Sequence, residues 1–394
     1  MSRMRVTSLL LTALPKAKLS PEIRSLMQTE PPETVYKLVI GVSLPLFHVS
    51  LSLGGAVYPD AFNLAEPFDR KTHVFYLPER PAGRAALRFR LPGKLKLTLK
   101  KKTDLTGLPL ADAETLENDA DSGWETEKEE RETVADGLTM TVYTLRNKTG
   151  APVLATLLET DPAKTALYIG TAGDGYESRR ARATIPDMIA AAERNGQRVL
   201  AAVNADFFDI FGDFHPSGLC VKNGRVAANP DSKRPFLGEK TDGTPVVADL
   251  SQDPGMIKDL RHAAAGLQRL IRDGKPFDLA PGEPFGFTPH PRTAAGVTKD
   301  GRVLLLEVDG RIPAHSNGAT LTDLARFLLA RGAVDALNLD GGGSSAVYTR
   351  NADGGFDLRT VPADLFRPND RLIRKDYNAV LVVERTLTSR PESS

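Results

Sequence analysis

TLTDLARFLLARGAVDALNLDGGGSS, residues Thr320–Ser345, contains a helix, a stop, a strand and a glycine loop in succession. Thr320 with Asp323 three residues on forms the capping-box pattern that starts a helix. Leu321, Leu324, Leu328 and Leu329 follow at helical spacing, and Gly332 supplies the stop. Val334 to Leu339 then reads as a buried strand that ends abruptly at Asp340-Gly341-Gly342-Gly343-Ser344-Ser345. Three consecutive glycines are costly in backbone entropy, so the loop predicts a close approach of backbone to something.

The same alternation extends upstream. Pro186 opens a helix through Glu193 that stops at Asn195-Gly196, and Arg198 to Val203 reads as a buried strand. Val303 to Val308 is another, joined through an Asp300-Gly301 turn to a strand starting near Arg292. Strand, helix, strand predicts an α+β (mixed α/β) domain with a mixed sheet over residues 138–386. Residues 35–110 read instead as short strands (His73–Leu77, Ala86–Leu91, Lys94–Leu99) between Pro and Gly turns, a small β-sandwich-like domain. Leu95, Leu97 and Leu99 alternate with Lys96, Thr98 and Lys100, which puts one face inward and one in water. Between the two domains, residues 111–137 carry Glu125, Glu127, Glu129, Glu130 and Glu132 and read as an acidic linker, with Trp124 anchoring one domain on the next or stacking on a sugar. Residues 387–394 are expected to be a disordered tail, and no internal repeat is visible.

Composition bounds the class of partner. The chain has 394 residues, enough for two or three domains at roughly 100–200 residues each. With 51 basic and 50 acidic residues, a formal charge of +1 gives no electrostatic reason to expect nucleic acid. The single cysteine, Cys220, excludes an intrachain disulfide and a thiolate zinc cluster and reads as a small buried hydrophobe. In residues 1–34, Arg3 and Arg5 precede the apolar run Val6 to Leu14. That is a weak secretory pattern and tilts the expectation toward a secreted or cell-envelope protein. Val35 to Tyr58 is apolar but interrupted by Lys37, Pro45, His48 and Gly54-Gly55, so no membrane span is expected.

Three constellations could carry chemistry. The first is the loop itself, where Asp340 closes a strand and Gly341, Gly342, Gly343, Ser344 and Ser345 offer backbone amides and hydroxyls to an anion. The alternative is a tight turn with a capping aspartate. The second is Asn204-Ala205-Asp206-Phe207-Phe208 at another strand end, where Asn204 can both give and accept hydrogen bonds, as sugar hydroxyls require. Asn223-Gly224, further on, suits a type I′ hairpin without a chemical role. The third is the hairpin that brings Arg292 near Asp309 and Arg311. A guanidinium there clamps a phosphate bidentately or pairs structurally with the aspartate.

Taken in order, NADFFD (204–209), PSGLCVKNGRV (216–226), RTAAGVTKDGRVLLLEVDGR (292–311), the Thr320–Ser345 stretch and RKDYNAVLVV (374–383) resemble the phosphodiester glycosidase family. The resemblance covers roughly 140–385. It implies a hydrolase that cleaves the glycosidic C–O bond of a sugar-1-phosphate diester, N-acetylglucosamine 1-phosphodiesters being the type. It implies Asp340 or Asp309 as the carboxylate acting as nucleophile or general base, with Asp206 of the second constellation a further catalytic candidate. Asn204, Arg292, Arg311, Gly341 to Gly343, Ser344, Ser345 and Arg374 would bind substrate. No cofactor is expected, a divalent metal stays open, and the implied partner is a phosphodiester-linked glycan. Asp376 departs from the family, which usually has an apolar residue two places after the last arginine. Residues 229–290 match nothing familiar. Separately, Leu51–Pro78 resembles the opening strands of cadherin-like sandwiches found beside bacterial surface enzymes. Two rival readings remain: a metal-dependent phosphodiesterase using Asp206, Asp309, Asp340 and His290, and a non-catalytic glycan-binding protein.

Overall fold

The computed structural model describes residues 6–15, 31–42, 47–54, 56–59, 72–90, 99–106, 110–111, 123–147, 150–175, 181–209, 214–277, 289–312, 314–367 and 370–385. The chain divides into two compact units, Met1–Glu117 with Asp278–Thr288, and Asn118–Phe277 with Pro289–Ser394. In the first unit, two four-stranded sheets share one apolar core. Leu38, Ile40, Phe75 and Leu77 come from one sheet and Val49, Leu51, Leu87 and Phe89 from the other. The apolar run at the N-terminus is the strand Val6–Pro15, paired antiparallel with Thr34–Val42 and parallel with Leu110–Ala111. Most of the strand read at Lys94–Leu99, and the tail at 387–394, lie outside the described residues.

The second unit overturns the expectation of a mixed sheet. It is predominantly β, and every strand pairing among its described residues is antiparallel. Two α-helices stand among the described residues of the whole chain. The helix–strand alternation is nevertheless real. Strand β1 (Thr165–Thr171) leads through helix α1 (Ile185–Arg194) to β2 (Val199–Asn204). Both helices begin with capping boxes, Thr184 with Asp187 in α1 and Thr320 with Asp323 in α2 (Leu321–Leu329). The hairpin β3 (Arg292–Thr298) and β4 (Val303–Val308) precedes α2, and β5 (Ala333–Asn338) follows it. A helical crossover makes β4 and β5 run the same way, but β3 lies between them and pairs antiparallel with both. The strand Asn378–Glu384 likewise separates β1 from β2. Each crossover is split by an intervening strand, so no parallel neighbours arise.

The acidic stretch also differs from the linker reading. Trp124–Ala135 is the edge strand of an eight-stranded sheet, paired along Leu138–Asn147. Its glutamates are exposed, and a charged edge resists pairing with another chain. Trp124 is buried, with its ring centroid 5.4 Å from that of Phe327 on α2. Part of residues 229–290 forms strands Phe236–Lys240, Pro245–Ala248 and Leu260–Ala265, which complete a five-stranded sheet with Cys220–Lys222 and Arg225–Ala228. Asn223 and Gly224, at φ 48° and 73°, turn that last hairpin, both in the left-handed region a type I′ turn needs. One core takes Leu305 and Leu337 from the eight-stranded sheet, Val203 and Val380 from a second, and Cys220 and Leu237 from the third. Cys220 is fully buried, and desolvation pushes its thiol up to about 12, which leaves it inert as a nucleophile.

A buried ion pair lies beside that core. Lys222 Nζ bonds Asp174, the Ile169 carbonyl (2.8 Å) and Thr171 Oγ1 (3.2 Å), and Asp174 also accepts from Tyr168 (2.8 Å) and Asn195 (2.7 Å). Burial is the main cause lowering the Lys222 pKa. Lys222→Met strands Asp174 without its counter-charge and is expected to cost about 3–5 kcal/mol in urea unfolding. Lys222→Met with Asp174→Leu should recover most of that loss. A double variant as unstable as the single one would mean that packing, not charge, holds this corner.

Candidate active site

The ends of six strands meet at one place, and hydrogen bonds tie the two sheets together there. Arg292 begins β3 opposite Val308, the last residue of β4, and Ala294 pairs with Asn338, the last residue of β5. In the neighbouring sheet Asn204 ends β2 opposite Ala379, and Val203 pairs with Val347. Asn204 Nδ2 donates to the Asp340 carbonyl (2.6 Å), and its Oδ1 accepts from Thr293 Oγ1 (2.7 Å). The Asp340 amide donates to the Ala205 carbonyl (2.8 Å), and the Asp206 amide to Asn378 Oδ1 (2.9 Å). Asn204 is fully buried, so its amide serves as the bolt between sheets.

The glycine loop sits on this joint as a single 3-10 turn, Gly342–Ser344. Gly342 has φ +65°, a conformation that L side chains rarely adopt. A Cβ on Gly343 would collide with the Asp364 carboxylate. Three amides expected to face an anion are already used: Gly341 donates to Asp340 Oδ1 (2.8 Å), Gly342 to the Pro291 carbonyl (2.9 Å) and Ser344 to the Gly341 carbonyl (3.2 Å). The positive charge beside the loop comes from arginines. A Cβ on Gly342 would lie 3.1 Å from Arg311 Nη1, and Arg374 Nη1 reaches Ser344 Oγ at 3.3 Å. Arg374 is held by Asp364, through Nη2 at 2.5 Å and Nε at 3.1 Å. Arg311 itself has φ +61°, a strained backbone for a non-glycine residue.

The carboxyls sort by burial. Asp340 is partly exposed. Desolvation raises its pKa, while the Ser344 hydroxyl, the charge of Arg374, the Gly341 amide and Arg311 work against that rise. Asp206 is 1% exposed, its Oδ2 accepts from Gly218 (2.9 Å), and burial pushes it well above the usual carboxylate range. Asp309 is also 1% exposed, and both its oxygens are engaged, Oδ2 by His315 Nε2 (2.6 Å) and Oδ1 by the Val361 amide (2.9 Å). Beneath it Glu307 is pushed well above its ordinary value by burial and by the Asp309 charge. Arg292 is 1% exposed, and its Nε donates to the Ala319 carbonyl (3.2 Å). Ser345 is buried behind the loop.

Sequence reasoning assigned no role to Asp364, Thr293 or His315. Asp364 lies outside every motif and carries no local signal. Thr293 stands inside the RTAAG motif, where its neighbour Arg292 drew the attention. The metal ligands considered, Asp206, Asp309, Asp340 and His290, form no cluster: among the described residues, no group of three or more His, Cys, Asp or Glu side chains is placed to hold a metal ion. No helix among them is long and apolar enough to cross a membrane.

Comparison with known proteins bears on this site directly. Residues 197–383, which include the joint, the loop and both arginines, match the phosphodiester glycosidase family. The mouse N-acetylglucosamine-1-phosphodiester alpha-N-acetylglucosaminidase is 26% identical over 254 residues, 59% of this chain and 46% of its own. The human enzyme of that name is 26% identical over 252 residues. An uncharacterized SPbeta prophage-derived protein of Bacillus subtilis, YomE, is 29% identical over 186 residues, 42% of this chain and 27% of its own. The chain thus spans about half the length of the mouse and human relatives. The solved catalytic domain of the zebrafish enzyme, auto-inhibited by its pro-peptide, shares the fold with a TM-score of 0.53 at 21% identity. That likeness covers 67% of this chain and 89% of the zebrafish domain.

Proposed function

We propose that this chain, which carries a phosphodiester glycosidase domain over residues 197–383, hydrolyses the glycosidic C–O bond of a sugar-1-phosphate diester. N-acetylglucosamine α-1-phosphodiesters are the substrate class suggested by the names of the mouse and human relatives. The observation that carries the reading is Asp340 at the glycine loop, with Arg311 and Arg374 beside it, all inside the matched segment. Cleavage at carbon breaks the bond from the anomeric carbon to the phosphate oxygen, and the electron pair leaves with the phosphate. Positive charge develops on the sugar and negative charge on the leaving group. Arg311 and Arg374 offset the second charge, and Arg374 is pre-set by Asp364. Asp340 acts at the anomeric carbon as nucleophile or as general base, and the configuration of the first sugar released distinguishes the two. Asn204 and Thr293 hold the backbone of Asp340, while Arg292 and Asp309 brace the strand ends behind it.

Incubation with the methyl phosphodiester of N-acetylglucosamine α-1-phosphate should yield free N-acetylglucosamine and methyl phosphate, and chelator should not change the rate. Release of N-acetylglucosamine 1-phosphate would mean cleavage at phosphorus and overturn the reading. Tight binding without turnover would assign the domain to glycan recognition instead.

A further inference from the structure

A recess beside the glycine loop is lined by Gly343, Ser344, Arg374, Asp376, Ile185 and Ile373. Asp376, the residue that departs from the family pattern, is 3% exposed, yet its Oδ1 has no hydrogen-bond partner. A buried carboxyl oxygen without a donor costs stability, so it marks a place where a ligand can supply one. The backbone fixes where this side chain sits. Reciprocal hydrogen bonds of 2.9 and 3.1 Å pin Asp376 to Ala183. Two residues on, Asn378 accepts from the Asp206 amide at the joint between the sheets (2.9 Å). The apolar part of the wall is uneven: Ile185 is buried, whereas Ile373 is 39% exposed.

The wall sorts ligands by charge. A phosphate placed here meets the Asp376 carboxyl, and an ammonium group meets the guanidinium of Arg374, whose Nη1 reaches Ser344 Oγ at 3.3 Å. Neither sign of charge is favoured throughout the recess. A neutral group that gives a hydrogen bond to a carboxyl oxygen and accepts one from a guanidinium or a hydroxyl suits it better. Sugar hydroxyls and a secondary amide do both. The C–H faces of a sugar ring are apolar and match the two isoleucines. Such a wall, mostly apolar with a few placed polar groups, is the usual make-up of a small-molecule site.

We infer that this recess receives the sugar of the substrate and that Asp376 is its specificity-determining residue. Its Oδ1 accepts a hydrogen bond from one ring substituent, a hydroxyl or the acetamido N–H. The phosphate then stays with Arg311 and Arg374 at the loop, and the sugar extends toward Ile185. A sugar that lacks the matching donor leaves the buried oxygen unpaired in the complex as well, and that is the source of discrimination. The inference rests on the proposed substrate class, but binding tests it apart from hydrolysis.

The test is calorimetric titration of the full chain with N-acetylglucosamine α-1-phosphate and its 2-, 3-, 4- and 6-deoxy analogues, the first of which lacks the acetamido group. Wild type should bind one analogue more weakly than the parent by roughly 10–100-fold, the loss expected when a hydrogen bond to a carboxylate goes. Asp376→Leu should bind the parent more weakly by a similar factor and should no longer distinguish that analogue from it. Asp376→Asn keeps an acceptor oxygen and should retain most of the discrimination. Asp376→Leu should also melt at or above the wild-type temperature, because it removes a buried oxygen that has no partner. A lower melting temperature with unchanged binding would assign Asp376 to the fold and overturn the inference. So would equal binding of all the analogues by wild type, no binding of the parent, or discrimination that survives in Asp376→Leu. An Asp376 effect confined to diesters with a sugar aglycone would place the contact on the leaving group and overturn it too. If the methyl phosphodiester of N-acetylglucosamine α-1-phosphate is not turned over while the binding pattern holds, the hydrolysis reading falls and the sugar recess stands.

Discussion

Asp340→Asn is expected to bind a sugar-1-phosphate diester within a few-fold of wild type and to turn it over slower by roughly three to four orders of magnitude. The substitution is nearly isosteric. The asparagine Oδ1 can still accept from the Gly341 amide, now 2.8 Å away, and Asn204 still holds the backbone carbonyl at 2.6 Å. What disappears is one negative charge facing Arg374 and Arg311. In the ground state that loss barely matters, because the phosphate brings its own charge to the arginines. In the transition state the sugar carries positive charge, and the carboxylate is the group that answers it. The pH profile should change in a defined direction. Desolvation raises the Asp340 pKa, so wild-type kcat/KM should fall as pH drops and the carboxylate takes up a proton. That acid limb should be absent from whatever activity Asp340→Asn retains. Calorimetric titration with single-turnover kinetics separates binding from chemistry. Near-normal turnover would mean that Asp340 only caps the turn.

Much of the second unit was legible at the level of elements. The helix opened by Pro186, the capping box at Thr320, the strand Val303–Val308 and the turns at Asn223-Gly224 and Asp300-Gly301 are local, and local chemistry sets them. Sheet topology was not legible, because the strand that splits each crossover comes from elsewhere in the chain. Asn378–Glu384 arrives from the far end to separate β1 from β2, and β3 enters between β4 and β5. Hydrophobic runs record burial on both faces, which parallel and antiparallel central strands share. The acidic edge strand misled for a related reason. Nine of the twelve residues of Trp124–Ala135 are exposed, so no apolar alternation marks it, and its pairing with Leu138–Asn147 supplies the order. At the site, the motifs located Asp340, Asn204 and the loop, which share one joint. They could not distinguish enclosed residues from exposed ones. Arg292 and Arg374 look equivalent as letters, and only packing separates a guanidinium at 1% exposure from one whose side chain is 25% exposed. Asp364 could not be found at all, since its role depends on Gly343 leaving room and on Arg374 returning from ten residues downstream.

Gly342→Val should nearly abolish turnover, with kcat/KM reduced by more than about two orders of magnitude, and two physical effects contribute. The first is backbone strain. Gly342 sits at φ +65°, and a β-branched residue forced there costs on the order of 1–3 kcal/mol. The second is displacement. A Cβ at this position would lie 3.1 and 3.2 Å from the two terminal nitrogens of Arg311, tighter than ordinary contact, and the valine methyls extend further. Arg311 is exposed, so its guanidinium can swing away and the protein can still fold. The swing removes a cation from the place where the phosphate charge develops. Gly342→Asn separates the two effects, because asparagine tolerates the left-handed region while its side chain still displaces the guanidinium. It should melt close to wild type and still lose most of its activity. Arg311→Ala should match it kinetically with no strain at all. If Gly342→Asn and Arg311→Ala both turn over normally, Arg311 is not part of the phosphate site, and the loss in Gly342→Val belongs to the turn alone.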